Sequence, residues 1–394
     1  MTATPSARID AIRRRIFGLR AALPTIAITA VAFVIGGLFI AATGRDPLAT
    51  YQAIWVGSGL DWLRPGASAA ERTTSAFALQ QTLLLLLPLA LLGLAVAIPF
   101  RARLFNIGGQ GQYLSGSFAA VWVASTMPSL PGPLHIVLAI LAGALVGAIW
   151  AAISGWLRAV AGTSEVITTI MLNYVAIWVG AALFGIGGPL QNSAEPTQPV
   201  SDNVLPSARL PVIWGDAALQ GLHAGVLLLP VFLVGAWLLL HRTPFGFEVR
   251  AVGANDEAAS YAGINVRRRY VAVMALAGGI AGAAGSLDML GWQYRVATAD
   301  LQAFQLGFLG IAVALLARNN PIGVALAAFL FAALINGSSV RNLDPTVFPP
   351  ELAGNLTLLI QAVIVLLISL DLALFRFPKL RRSRRTRRNQ EVMA

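Results

Sequence analysis

Long uncharged apolar windows restrict this chain more than any motif does. Ala21–Gly44, Ser75–Phe100, Leu104–Leu157, Val166–Ala194, Ala217–Leu240, Tyr270–Leu287, Leu301–Ala317, Asn319–Val340 and Leu352–Leu370 contain no Asp, Glu, Lys or Arg. A helix needs about 20 mainly apolar residues to cross the hydrocarbon core. In lipid every backbone N–H and C=O must be paired inside the segment, which a helix achieves. Leu104–Leu157 is long enough for two passes, turning at Pro128-Ser129-Leu130-Pro131-Gly132-Pro133. The windows therefore predict an all-α, polytopic transmembrane helical bundle of about ten spans.

Charge sets the orientation. Only 11% of residues are charged, against about a quarter in soluble domains. With ten spans and a cytoplasmic N-terminus, both termini are cytoplasmic, and the 28 Lys and Arg divide into 22 inside and 6 outside. The positive-inside rule demands that sign, and the inverted topology fails it. The domain plan is a basic cytoplasmic arm over 1–20, a transmembrane domain over 21–376 and a basic tail over 377–394. The tail run RRSRRTRR, Arg381–Arg388, beside the last span, suits anionic lipid of the bilayer better than nucleic acid. The first window is longer than a signal-peptide core of about 7–15 residues and reads as an uncleaved helix. The outside loop Arg45–Thr74 has room for a short surface helix around Leu48–Trp55, and a second outside loop, Gly187–Leu222, is rich in Pro, Gln and Asn.

Several chemistries lack their residues. Lys379 is the sole lysine, so no G-x-x-x-x-G-K phosphate loop exists and ATP is not hydrolysed by that route. His135, His223 and His241 fall at span ends without metal-ligand spacing, and cysteine is absent. No metal, cofactor or catalytic constellation is expected. The carboxylates nearest the bilayer, Glu165, Asp288 and Asp371, read as span-end residues, which disfavours a proton-coupled carrier.

Three segments carry function. Phe245–Arg269, FGFEVRAVGANDEAASYAGINVRRR, is a polar island between two apolar windows. Asn255 or Asp256 can cap a helix there, and Gly263 can end it in the left-handed region. About two turns lie between them, roughly 10 Å. Ala258, Ala259, Ala262 and Tyr261 are expected on one face, and Asp256, Glu257 and Ser260 on the other: a small knob shaped for another protein's groove. In FNIGGQGQYLSG, Phe105–Gly116, the glycines Gly108, Gly109 and Gly111 weaken a helix, while Asn106, Gln110 and Gln112 are costly against lipid. The segment either lines a translocation route as unwound backbone or packs helices through small residues and amides. TSEVITTIMLNY, Thr163–Tyr174, opens the next span. There Glu165 suits the helix dipole, and Thr169 and Asn173 share a face at i,i+4, facing either the route or a neighbouring helix. ALLARNNPIG, Ala314–Gly323, reads as a tight cytoplasmic turn with Pro321 at the start of a helix.

Together FNIGGQGQ, SEVITTIMLNY, VRAVGANDEAASYAGI and GIAVALLARNNPIG resemble the inner-membrane permease subunits of bacterial ABC importers. The branch is that of branched-chain amino acid and monosaccharide permeases, and the wording is most similar to its nucleoside-uptake members. The resemblance runs over roughly residues 77–375. It implies ABC ATPase subunits, a second permease (usually a different chain) and an external substrate-binding lipoprotein as partners, at the cytoplasmic membrane. It also implies that Gly253, Asn255, Ala258, Ala259 and Gly263 belong to a coupling helix seated on an ATPase. Glu257 and Tyr261 fall in the same helix. The expected substrates are nucleosides. A ribose-like sugar, or a stand-alone channel or carrier, is the alternative.

Overall fold

The computed structural model describes residues 25–216, 219–303, 306–339, 341–342 and 349–374. The basic arm, the basic tail and Asn342–Glu351's prolines at the external turn fall wholly or largely outside them. The chain divides into two units. One comprises Met1–Ala53 with Leu343–Ala394, and the other Ile54–Asn342.

The first unit contains α1 (Thr25–Ala42), most of α2 (Pro47–Gly57) and α14 (Pro350–Leu374). Helix α2 is the surface helix expected near Leu48–Trp55. Tyr51 on it donates to Phe33 O of α1 at 2.5 Å. Gly36 leaves room there for the Tyr51 and Ile360 side chains, which a Cβ would meet at 2.7–2.8 Å.

The second unit is built from α3 (Ala69–Phe100), α4 (Gly109–Thr126), α5 (Gly132–Ala161), α6 (Glu165–Phe184), α7 (Leu228–Arg242), α8 (Pro244–Ala254), α9 (Asp256–Tyr261), α10 (Val266–Asp288), α11 (Asp300–Ala303), α12 (Leu306–Leu316) and α13 (Pro321–Gly337). Among the described residues, six helical segments across the two units are long and apolar enough to cross a membrane: α1, α3, α5, α6, α7 with the turn before it, and α10 with its extension. Shorter apolar helices lie within 300–316, 321–337 and 354–368.

Helix α3 starts six residues before its apolar window, because Ser68 and Glu71 form a reciprocal capping box. It is the most enclosed long helix, with Leu87–Ile98 buried on every side. Helix α5 is patterned the other way round from a soluble helix. Leu134, Leu141, Leu145, Ile149, Trp156 and Val160 point outward, while Ala139, Gly143, Gly147, Ala151 and Gly155 point in. Large apolar residues outside and small ones inside is the arrangement lipid selects, since hydrocarbon solvates Leu and small residues let backbones approach. The inward stripe meets Gly278 and Gly282 of α10, and a Cβ on Gly147 would collide with both. At the same junction Gly116 of α4 packs against Gly282 and against Gly143 of α5.

The loop 187–222 is no loose tether. Its backbone N–H groups at Ser201, Val204, Leu205 and Leu210 donate to Val296, Tyr294, Ala124 and Leu290 carbonyls at 2.7–3.0 Å. It also contains β1 (Val212–Trp214) and β2 (Leu222–His223), an antiparallel pair. Satisfying these polar groups lets the loop cap the ends of α4 and α10.

Candidate functional site

The polar island folds into two helices, of which the first is absent from the periodicity reading. Thr243 caps α8, accepting from Gly246 N at 3.1 Å, with Pro244 in the first turn. That Thr-Pro pair is the start signal the sequence offers for it. Gly253 then packs so tightly on the Arg101 carbonyl that a side chain would collide.

Helix α9 follows after one residue. Asn255 is its cap, its Oδ1 accepting from Ala258 N at 3.0 Å. Gly263, at φ +85°, closes it: Ile264 N donates to Ala259 O and Gly263 N to Ser260 O at 2.9–3.0 Å, the doubled bond of a glycine-terminated helix. The faces divide differently from the sequence expectation. Ala259 is 4% exposed and turned into its own chain, whereas Tyr261 is 93% exposed. Ala258, Ala262, Asp256, Glu257 and Ser260 share the open side. The outward surface therefore mixes small, acidic and aromatic groups, because a helix this short gives one residue to the bundle and the rest to solvent.

Basic segments gather at the same end. Arg101 Nη2 donates to Asn319 O at 2.6 Å, Glu248 of α8 pairs with Arg269, and Arg158 lines one cavity with Asp256 and Arg267. The 314–323 turn forms as expected, with Asn320 capping α13 ahead of Pro321.

The glycine-rich segment is a broken helix entry. Leu104–Gly108 is irregular and largely buried, and α4 begins at Gly109. Two amides close on each other: Asn106 Nδ2 donates to Gln112 Oε1 at 3.0 Å, and Gln112 Nε2 returns a bond to Asn106 Oδ1 at 2.9 Å. Asn106 also donates to Ala95 O and accepts from Gly108 N. Asn173 of α6 accepts from Gly111 N at 2.8 Å and donates to Ile107 O at 3.0 Å. Gln110 Oε1 accepts from Gly307 N of α12 at 3.0 Å. The free backbone groups of Asn106–Gly111 are thus answered by side-chain amides, which satisfies the demand lipid places on irregular backbone. Thr169 bonds back to Glu165 O at 2.7 Å within α6.

Gln110 and Asn173 also reach the wall of an open groove of about 510 Å³, together with Tyr174, Trp178, Gln302 and Phe308. Asn106 and Gln112 are turned to one another instead. Three amides and three aromatic rings around one groove suit a flat, polar-edged solute. Gln302 and Phe308 were not singled out from the sequence, where the window from Leu301 reads only as an uncharged span.

A second correction concerns Asp288. Helix α10 does not end there but continues as a π-turn over Met289–Gln293, making a 28-residue apolar segment. Asp288 is 1% exposed and accepts from Tyr113 Oη at 2.7 Å and from Trp292 Nε1 at 3.4 Å. A carboxylate inside the bundle with a named partner is therefore present, and Trp292 serves it.

Fold and site together define an integral, multi-pass helical membrane protein with a broken helix beside a groove and a solvent-facing helical knob at its basic end. Residues 78–369 match the family described as branched-chain amino acid transport system / permease component, and the chain belongs to that family. It is 31% identical to the nucleoside ABC transporter permease protein NupB of Lactococcus lactis, over 94% of this chain and 97% of that one. It is 33% identical to the guanosine ABC transporter permease protein NupP of Bacillus subtilis, over 89% and 94%. To the glucose ABC transporter permease protein of Haloferax volcanii it is 36% identical, over 79% and 78%.

Proposed function

We propose that this chain is the transmembrane permease subunit of an ATP-binding-cassette importer for nucleosides, working in a bacterial cytoplasmic membrane with both termini inside. In this reading α9, with Gly253 and Gly263 at its roots, seats on a separate ATPase that supplies the energy. A second permease chain completes the pathway, and an external lipoprotein delivers the solute. ATP binding pulls on α9 and shifts the bundle between outward- and inward-open states. The observation that carries the reading is α9 itself: a capped helix whose tyrosine is almost fully exposed beside the basic segments that the positive-inside rule places in the cytoplasm. An exposed aromatic on a short rigid helix has the form of an interface anchor.

The test is co-purification with the ATPase partner. Ala258→Arg and Tyr261→Ala, both on the open face, are expected to release the ATPase and abolish uptake. Retention of both would refute the seating. Ala259→Arg is a poorer probe, because Ala259 is packed inside its own chain.

Nucleosides are favoured by the nucleoside and guanosine relatives and by the amide-and-aromatic groove. The glucose relative supports a sugar as the second reading. Uptake of labelled uridine, guanosine and ribose in a deletion strain separates the two, and loss of ribose uptake alone would reject nucleosides. Asp288 keeps an ion-driven carrier in view, which predicts transport by the purified chain in liposomes without ATP.

A further inference from the structure

A run of polar groups, interrupted by one open cavity, leads from α9 to the broken helix entry. Tyr270, in the first turns of α10, donates to Asp256 Oδ2 of α9 at 3.3 Å. Both line one open cavity of about 630 Å³ with Arg158, near the end of α5. Arg158 Nε stands 3.6 Å from Glu165 Oε2, at the first residue of α6. The other oxygen of that carboxylate accepts the Phe105 N–H at 3.3 Å. Phe105 immediately precedes Asn106, whose amide anchors the irregular segment.

The two sides of this run differ in rigidity. Gly155 of α5 packs against Tyr270 O and Val271 Cα of α10, each 3.0 Å from where a Cβ would stand. The end of α5 and the root of α10 therefore move as one body, and α9 hangs from it. On the far side, Leu104–Gly108 is irregular backbone, held by the Glu165, Asn106 and Asn173 side chains, and it moves with them. Glu165 bridges them with one oxygen on each. A carboxylate that only complemented the α6 dipole would need neither partner. Its side chain is 12% exposed, so the bond from Phe105 N is little screened by water, while the ion pair is weakened by the partly exposed Arg158.

We propose that Glu165 is a positioning residue for transport: held by Arg158, it ties the backbone at Phe105 to the body carrying α9. Displacement of α9 is thereby delivered to the irregular entry of α4, the helix whose Gln110 lines the groove. The proposal rests on the coupling role given to α9 above. In chemical terms, nothing is transferred; the side chain moves as a strut.

The experiment uses the full importer reconstituted in liposomes, with labelled uridine as the probe, and measures assembly, basal ATP hydrolysis and uridine imported per ATP. Arg158→Gln and Glu165→Ala are expected to assemble and hydrolyse ATP normally but to import about tenfold less uridine per ATP, within the usual range of coupling energies. Arg158→Lys should recover most of the loss. Glu165→Gln should recover part of it, since its amide oxygen still accepts from Phe105. Uptake and hydrolysis falling in parallel, or an unchanged ratio, would overturn the proposal. If Glu165→Ala yields no complex, the Arg158→Gln and Arg158→Lys pair decides, because Arg158 is partly exposed and its replacement is the milder change. Failure of the α9 reading is distinguishable: there Ala258→Arg leaves assembly and uptake untouched, whatever Glu165 does.

Discussion

Replacing Asn173 by Leu removes a two-way clamp while keeping the branched heavy-atom shape of the side chain. Asn173 accepts from Gly111 N and donates to Ile107 O, so the leucine strands one donor and one acceptor. The helices pack closely there, since a Cβ on Gly111 would stand 3.0 Å from both Asn173 Cα and Leu172 O. Each buried group left unpaired costs about 1–3 kcal/mol, although interhelical bonds in membranes average nearer 0.6. The pair therefore comes to about 2–4 kcal/mol. Since about 1.4 kcal/mol is tenfold, local opening of the 105–112 segment should become roughly 30- to 700-fold more frequent. Hydrogen exchange by mass spectrometry on the purified protein reads this directly. Peptides covering Ile107–Gln112 should lose protection by at least the lower figure, while those from α13 should not change. Unaltered exchange at Ile107–Gln112, or a loss spread evenly over the bundle, would refute the clamp.

Other substitutions probe independent features. Gly282→Leu would drive a side chain into the Gly143 carbonyl and should cost about 3 kcal/mol by overpacking, seen as a lowered melting temperature in detergent. Gly235→Leu, with open space around it, should leave the melting temperature within error of the parent. Trp178→Ala should raise the KM for uridine about tenfold if the exposed indole stacks on the base, with Trp178→Phe close to the parent; an unchanged KM would assign Trp178 to lipid. Burial lowers the pKa of His223 to about 4, while Nδ1 accepts from Gly225 N, so the folded protein keeps the imidazole neutral. The unfolded chain takes up the extra proton below about pH 6.5, so stability is full above that pH and falls by about 3 kcal/mol as pH drops towards 4. His223→Gln should flatten this part of the profile, measured by denaturation in detergent.

Much of the architecture was legible because it depends on local order. Uncharged stretches announce membrane helices, Pro321 and the Pro128–Pro133 turn mark helix starts and breaks, and Asn255 with Gly263 bounds α9 through side-chain capping and a left-handed glycine. The site was partly legible for the same reason. Amides in an apolar stretch require partners, so Asn106, Gln112 and Asn173 stood out, although their partners did not. The first turn of α3 and the whole of α8 lay outside the apolar windows and were carried by caps, a weaker signal than hydropathy.

Class and segment order follow from short-range rules that the chain states residue by residue: apolar length, capping chemistry and the sign of loop charge. Which way Ala259 turns, whether Asp288 ends a helix or lies inside one, and which N–H Glu165 receives were settled only in three dimensions. Those outcomes depend on groups such as Glu165 and Phe105, 60 positions apart, or Tyr113 and Asp288, 175 apart. Close glycine crossings bring such groups together. No local periodicity records a partner that distant, so packing alone could choose it.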